Sequence, residues 1–173
     1  FDPVELAKMD PRYTFPENWK ELLDKKNKRD KVLYEICKET EFECDFSDYI
    51  ELDLWRKYVL IGATAASTVL FQRPLGEISA TTYGKSLIIE IHEECRNIVL
   101  SKGYDIGIEA NNYNLKLITD KGSLLKASML RDFESGKKTE CEHILGYLIE
   151  LAKSNNVQCD LIKAAHTRIQ VGL

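Results

Sequence analysis

The sequence is short of most of the signatures that would fix a function at once. Its 173 residues include only three histidines, two methionines, two tryptophans and four prolines. The five cysteines (Cys37, Cys44, Cys95, Cys141, Cys159) contain no Cys-x-x-Cys pair and no histidine at ligand spacing, which argues against a zinc site or a disulfide framework and for reduced, structural thiols. Excess positive charge is missing too. With 24 basic and 28 acidic side chains the formal charge is −4, so no net field draws the chain to nucleic acid. The charge-free run Tyr58–Phe71 is interrupted by Thr64, Ser67 and Thr68 and falls short of the roughly 18 apolar residues a membrane span needs. Asp2, Glu5 and Lys8 stand where a secretion signal would be basic and then apolar, so the expected location is the cytoplasm. No segment alternates with period two for long enough to suggest a sheet, and no internal repeat is visible. A Gly-x-Gly-x-x-Gly turn, the cradle of a dinucleotide pyrophosphate, does not occur.

What is present is helical periodicity. Residues 1–27 form a distinct approach segment with three of the four prolines, leading into a short helix around Glu17–Lys25. Val32, Leu33, Ile36 and Cys37 place one face of a helix over Arg29–Thr40, and 42–46 is expected to be extended. A central helix should run from about Ile50 to Phe71, capped by Ser47 or Asp48 and stopped before Pro74 and Gly76. The stripe Leu87, Ile88, Ile91, Cys95, Ile98 and Val99 makes another, with Gly103 as its stop, and Ile108–Asp120 a further one. Ser123–Ser135 carries an apolar cluster and is expected to be helical. Thr139-x-x-Glu142 has the form of a capping box opening a helix to about residue 153, and the last helix starts near Asp160. The fold class expected is all-α, five to eight helices around the central one, with residues 28–173 as one folded unit.

Among titratable side chains, Lys57 is the strongest candidate for acid–base work. It sits near the start of the most hydrophobic helix, where desolvation would suit it to donate a proton or polarise a carbonyl. A snorkelling surface lysine is the plainer reading. Ile61, Thr64, Ala65 and Thr68 share its face, the two threonines within about 20° of it, so that hydroxyls stacked above an ammonium would line a polar pocket unless they bond back to their own turn. Cys141, at an expected helix start, is the one thiol whose pKa a helix terminus would lower. His92, His143 and His166 fall within expected helices and are assigned surface or cap positions. Trp19 and Trp55 are assigned to packing, and Arg131, Lys137 and Lys138 to a solvated turn.

Three segments in order, Asp53-Leu54-Trp55-Arg56-Lys57 with the Pro74-Leu75-Gly76-Glu77 that follows, Ser128-Met129-Leu130-Arg131-Asp132, and Gly136-Lys137-Lys138-Thr139-Glu140 with Gly146 beyond, resemble the C-terminal domain of ketopantoate reductase (2-dehydropantoate 2-reductase) over about residues 29–170. The resemblance implies a helical, bundle-like substrate domain of the type that closes 6-phosphogluconate dehydrogenases. It also implies reduction of ketopantoate to pantoate with NADPH, the cofactor being held mainly by an N-terminal Rossmann domain that these residues do not contain. Lys57 matches the family's catalytic lysine, Glu140 its substrate-ordering glutamate and Ser128 its substrate-binding serine. A carboxylate in the first turn of the 139–153 helix is also favoured by the exposed amides there. Thr64, Thr68, Ile61 and Ala65 complete the expected substrate wall.

Two departures are visible. The family carries asparagines four and eight residues after the lysine, where this chain has Ile61 and Ala65; losing two amides removes bonds to a hydroxylated substrate, a deficit of about 1 to 3 kcal/mol for each buried partner left unpaired. A less polar 2-oxo acid, or a helical dimerisation or interaction module without catalysis, are the alternatives this leaves open. Because the dinucleotide turn is lacking, residues 1–27 are read as the tail of the cofactor domain and the chain as a fragment inactive by itself. Expected partners are a small 2-oxo acid, the missing Rossmann domain and a second copy of the protein; no metal, nucleic acid or membrane is expected.

Overall fold

Helices account for every described element of the computed structural model, which describes Lys28 and residues 47–172. In chain order these are α1 Ile50–Phe71, α2 Leu75–Ser79, α3 Gly84–Ser101, α4 Gly107–Ile118, α5 Ser128–Glu134, a π-helical turn Glu142–Gly146 that runs into α6 Tyr147–Ser154, and α7 Asp160–Val171. Tyr49–Leu173 forms a compact unit of its own. The expected helices at Glu17–Lys25 and Arg29–Thr40, the extended 42–46 piece, the boundary at residues 27/28, Trp19, Cys37 and Cys44 lie outside the described residues.

The architecture follows from the composition of α1. From Gly62 to Val69 every residue is buried, so this half of the helix is enclosed on all sides and carries no amphipathic stripe. Small side chains permit the enclosure. A Cβ added at Gly62 would stand 2.9 Å from Leu148 Cδ1 and 3.3 Å from Cys95 Sγ, so α3 and α6 lie against the α1 backbone itself. α3 and α7 are the principal neighbours of α1, with α5 and the π-turn behind them. α3 brings Ile88, Ile91, Cys95, Ile98 and Val99 to that core, all fully buried and on one helical stripe.

Several local expectations are revised. Tyr49, not Ser47 or Asp48, is the N-cap of α1 and supplies no side-chain cap bond. The Ser123–Ser135 helix begins only at Ser128, because the carbonyls of Ser123 and Leu125 accept the amides of Gly76 and Leu75, each at 3.0 Å. Those bonds satisfy the first turn of α2, a helix the periodicity missed because it is only five residues long. The Thr139/Glu142 capping box does not form. Thr139 Oγ1 accepts from the Cys141 amide at 3.4 Å, and the Glu142 carboxylate turns instead to His166 Nε2 at 3.0 Å, leaving a π-turn where a regular first turn was expected. The N-terminus of α7 is closed from a distance by Glu94 of α3, whose two carboxylate oxygens accept the Leu161 and Ile162 amides at 3.1 and 3.0 Å.

His92 is a core residue, not a surface one. It is fully buried on α3, its Nε2 lies 3.4 Å from Asn114 Nδ2, and burial holds its pKa below the usual histidine value. The thiol of Cys141 is likewise not activated: burial, with Glu142 beside it, raises its pKa to about 11. Cys95 and Cys159 are free and buried as well.

Two outcomes test this account. Gly76→Ala would push a Cβ to 2.5 Å from Ser123 O and 2.7 Å from Lys121 O, both backbone atoms, and should lower the urea unfolding free energy by about 2 kcal/mol or more. A loss under half of that would show the α2 junction to be slack. Because the unfolded chain takes up the His92 proton and the folded chain resists it, stability should hold above about pH 6.5 and decline as pH falls below it. That decline should be smaller in His92→Gln; identical slopes would remove His92 as its source.

Candidate functional site

The N-terminal half of α1 is built differently from its enclosed half. Asp53 and Arg56 pair at 2.9 Å, and Arg56 Nε donates to Ile106 O at 3.0 Å, fixing α1 to the start of α4. Trp55 stacks on Tyr104 at 5.3 Å and meets Tyr58 edge-on at 5.7 Å. Tyr104 in turn donates to the Glu51 carboxylate, the main reason its phenol pKa is raised. With these side chains anchored inward, Ile50, Leu54, Lys57 and Ile61 are left on the opposite face at a spacing of four, three and four. All four are exposed, Leu54 at 58% and Ile61 at 37%.

Lys57 opens onto a groove of about 510 Å³ lined by Glu51, Leu54, Trp55, Tyr58, Ile61 and Tyr147. Tyr58 closes its floor by donating to Ile144 O in the π-turn at 2.7 Å, and burial, the largest influence, holds its phenol protonated well above the usual tyrosine range. Tyr147, the first residue of α6, stands 6.3 Å from Tyr58 with the rings inclined at 62°. Among the described residues Lys57 forms no ion pair and no side-chain hydrogen bond, so its ammonium is free to meet a ligand.

The structure separates the sequence candidates into groups. Lys57 and Ile61 line the groove; Lys57 is exposed, so the desolvation expected of it is absent from this surface. Thr64, Ala65 and Thr68 lie below it, buried, and Thr68 Oγ1 donates to Thr64 O at 2.8 Å. The polar pocket of stacked hydroxyls is therefore not formed, the threonine having bonded back to its own helix. Ser128, the first residue of α5, and Glu140, just before the π-turn, are both exposed, but neither lines the Lys57 groove. Their neighbours explain the setting: Met129, Leu130 and Phe133 anchor α5 in the core, Phe133 beneath the Arg168 guanidinium at 5.2 Å, while Cys141 is buried after Glu140. Arg131, Lys137 and Lys138 are exposed in and after α5. Composition reasoning missed Glu51, Leu54, Tyr58 and Tyr147. The four-three-four spacing of Ile50, Leu54, Lys57 and Ile61 was the available signal for one of them, Leu54.

No group of His, Cys, Asp and Glu among the described residues could hold a metal ion. No helix among them is long and apolar enough to cross a membrane. Helices alone, without a strand and glycine-rich turn, give the described residues no cradle for a dinucleotide.

The buried axial helix with an exposed, unpaired lysine on its open half is the frame of the candidate site, and comparison with known proteins identifies the family. Residues 49–171 match the family described as "Ketopantoate reductase PanE/ApbA C terminal", and the chain belongs to that family. A protein of Bacillus subtilis (strain 168) named "Uncharacterized oxidoreductase YkpB" is 32% identical over 146 residues, covering 84% of this chain and 48% of the relative. Among solved structures, a PanE/ApbA family ketopantoate reductase from Ralstonia eutropha JMP134 superposes with a TM-score of 0.72 at 18% identity, over 82% of this chain and 47% of that one. D-mandelate dehydrogenase in ternary complex with NADH and anilino(oxo)acetate gives 0.70 at 18% identity, over 83% and 47%. The chain thus spans about half the length of the proteins it matches.

The Tyr58 bond to the π-turn is the contact that sets the groove's floor. Tyr58→Phe should cost about 1 kcal/mol in denaturant unfolding and speed amide exchange at residues 144–148 before the rest of the domain. Unchanged exchange there would show that packing alone holds the turn.

Proposed function

We propose that this chain is the substrate-binding and catalytic helical domain of an NADPH-dependent 2-oxo acid reductase of the ketopantoate reductase type, reducing a ketone such as 2-dehydropantoate to the alcohol. The observation that carries the reading is the unengaged ammonium of Lys57 on a wall of apolar and aromatic side chains with the Glu51 carboxylate at its edge, in a chain of this family. Net chemistry is 2-oxo acid plus NADPH plus a proton giving 2-hydroxy acid plus NADP. The dinucleotide is assigned to a separate N-terminal Rossmann domain, and the chain alone is expected to be inactive.

What these residues contribute concerns the ketone. As negative charge develops on the ketone oxygen, an N–H of Lys57 donates to it, stabilises it and finally delivers the proton. Apolar walls at Leu54, Trp55 and Ile61 strengthen that pull once a closing domain excludes water. Glu140 is assigned to substrate ordering and Ser128 to substrate binding, both from exposed positions outside the Lys57 groove, Ser128 as the first residue of α5 and Glu140 just before the π-turn. Thr64, Ala65 and Thr68 act from beneath, by shaping the face that carries Lys57 and Ile61. The protein is read as a cytoplasmic enzyme that pairs with a second copy of itself.

A second reading, a helical contact module without catalysis, draws on the exposed apolar residues Ile50 and Leu54 beside Lys57. One assay separates the two: NADPH oxidation by the full-length protein with a panel of 2-oxo acids, wild type against Lys57→Ala. General acid catalysis predicts that kcat falls by at least about 100-fold in the variant. Equal turnover in the two proteins, or none with any acid, would leave the contact module standing.

A further inference from the structure

We propose that Glu142 and His166 are positioning residues for the reaction: their pair, seated over Gly146, clasps the π-turn to α7 and so fixes Glu140 relative to Lys57, while neither touches the substrate. The inference rests on the reductase reading above, in which Glu140 orders the substrate, and adds the device that holds it.

Gly146 is the residue that needs explaining. Its backbone lies in the ordinary right-handed helical region (φ −59°, ψ −45°), where alanine is the better helix former, so no conformational demand selects glycine there. Space does. A Cβ at Gly146 would stand 2.7 Å from Glu142 Oε2, and its next nearest neighbours, at 3.6 and 3.7 Å, are also Glu142 atoms. The carboxylate thus lies in the volume a side chain at 146 would fill, and from that seat its other oxygen accepts from His166 Nε2 at 3.0 Å. Stability is a poor reason for the arrangement, because the Glu142 side chain is 72% exposed and ion pairs so open to water contribute little.

What the pair restrains is a bulged piece of backbone. The Tyr147 amide donates to Glu142 O, five residues back, which puts one extra residue into the turn and leaves its register to be fixed by outside contacts. From α1, Tyr58, the neighbour of Lys57, donates to Ile144 O at 2.7 Å; from α7, His166 holds Glu142. Between these contacts the Ile144 amide donates to Glu140 O at 3.1 Å. Glu140 is therefore joined to the residue after Lys57 by two hydrogen bonds through Ile144, and the clasp keeps that connection in one register. Glu142, Gly146 and His166 line a second groove that shares only Tyr147 with the groove of Lys57, so the pair acts on the site through the backbone and not by contact.

The test is steady-state reduction of 2-oxo acids by the full-length protein carrying Gly146→Ala, Glu142→Ala or Glu142→Gln. Gly146→Ala displaces the carboxylate without straining the backbone, so the urea midpoint should stay at or above the wild-type value while kcat/KM falls about tenfold. Glu142→Ala should lose as much, and Glu142→Gln, which keeps an acceptor for His166, should recover most of it. Because the effect runs through Glu140, Gly146→Ala should cost less than about twofold further in a Glu140→Ala background. Turnover of Gly146→Ala within about twofold of wild type, or its full loss added on top of Glu140→Ala, overturns the proposal and leaves the reductase reading intact. Glu142→Gln no better than Glu142→Ala overturns it as well. So does a urea midpoint that drops in step with activity, which is what a merely structural role would give. Absence of turnover with every acid in the wild type defeats the reductase reading itself, and the positioning role with it.

Discussion

The fold depends on how little side chain α1 carries between Gly62 and Ser67. Gly62, Ala63, Ala65 and Ala66 leave the helix backbone close enough to its neighbours that Leu148 and Cys95 occupy the space a Cβ at Gly62 would need. Packed interiors tolerate neither voids nor overlap, so this stretch sets the distances at which α3 and α6 settle. Larger side chains along it would move every other helix outward. The buried leucines and isoleucines of α3, α6 and α7 are then complementary to a thin axle, and the core is continuous from Val59 to Ala165.

Enclosure of one half of α1 dictates what the other half can do. Past Ile61 the helix is sealed, and the Thr68 hydroxyl bonds back to its own backbone while Ser67 Oγ is buried without a partner. Before Ile61 the helix is held on one side by aromatic stacking and the Arg56 bond to Ile106 O, and bare on the other. The exposed side chains of α1, Ile50, Leu54, Lys57 and Ile61, are confined to that bare side. The three-residue cluster Asp53, Trp55 and Arg56 is therefore structural: it rotates α1 so that Leu54 and Lys57 face outward. Motif residues that resemble a catalytic signature divide in this way into those that aim the helix and the one that is aimed.

The helical framework was legible because its elements are periodic and punctuated. Ile50–Phe71 follows from a long apolar run ended by Pro74, and the stripe Ile88 to Val99 with its stop at Gly103 from spacing alone. What escaped the sequence was settled by partners distant along the chain. Glu94 caps a helix 67 residues later, the carbonyls of 123 and 125 extend their segment to serve α2, and Glu142 leaves its capping role for His166. No local window contains those partners. The candidate site was legible in part for the same reason: Lys57 and Ile61 share a helix face and so share a groove, whereas the relation of Lys57 to Ser128 and Glu140 depends on tertiary geometry. Tyr58 and Tyr147, 89 residues apart by their numbering, meet through the π-turn that no capping pattern foretold.

The exposure of Lys57 is itself informative about how such a site works. An ammonium in contact with water is screened, and its attraction for a developing oxyanion is weak; the same group between apolar walls with water excluded acts at a far lower effective dielectric. This domain supplies walls on one side only, from Leu54, Trp55 and Ile61. Burying the lysine permanently would cost desolvation with no counter-charge to offset it, since among the described residues no carboxylate pairs with it. On the reading proposed for this site, leaving it exposed until a ligand and a second surface arrive avoids that cost and ties proton transfer to closure. On the reductase reading proposed above, the one-sided groove sets a requirement: the ammonium gains its strength only when a ligand and a second surface complete the enclosure.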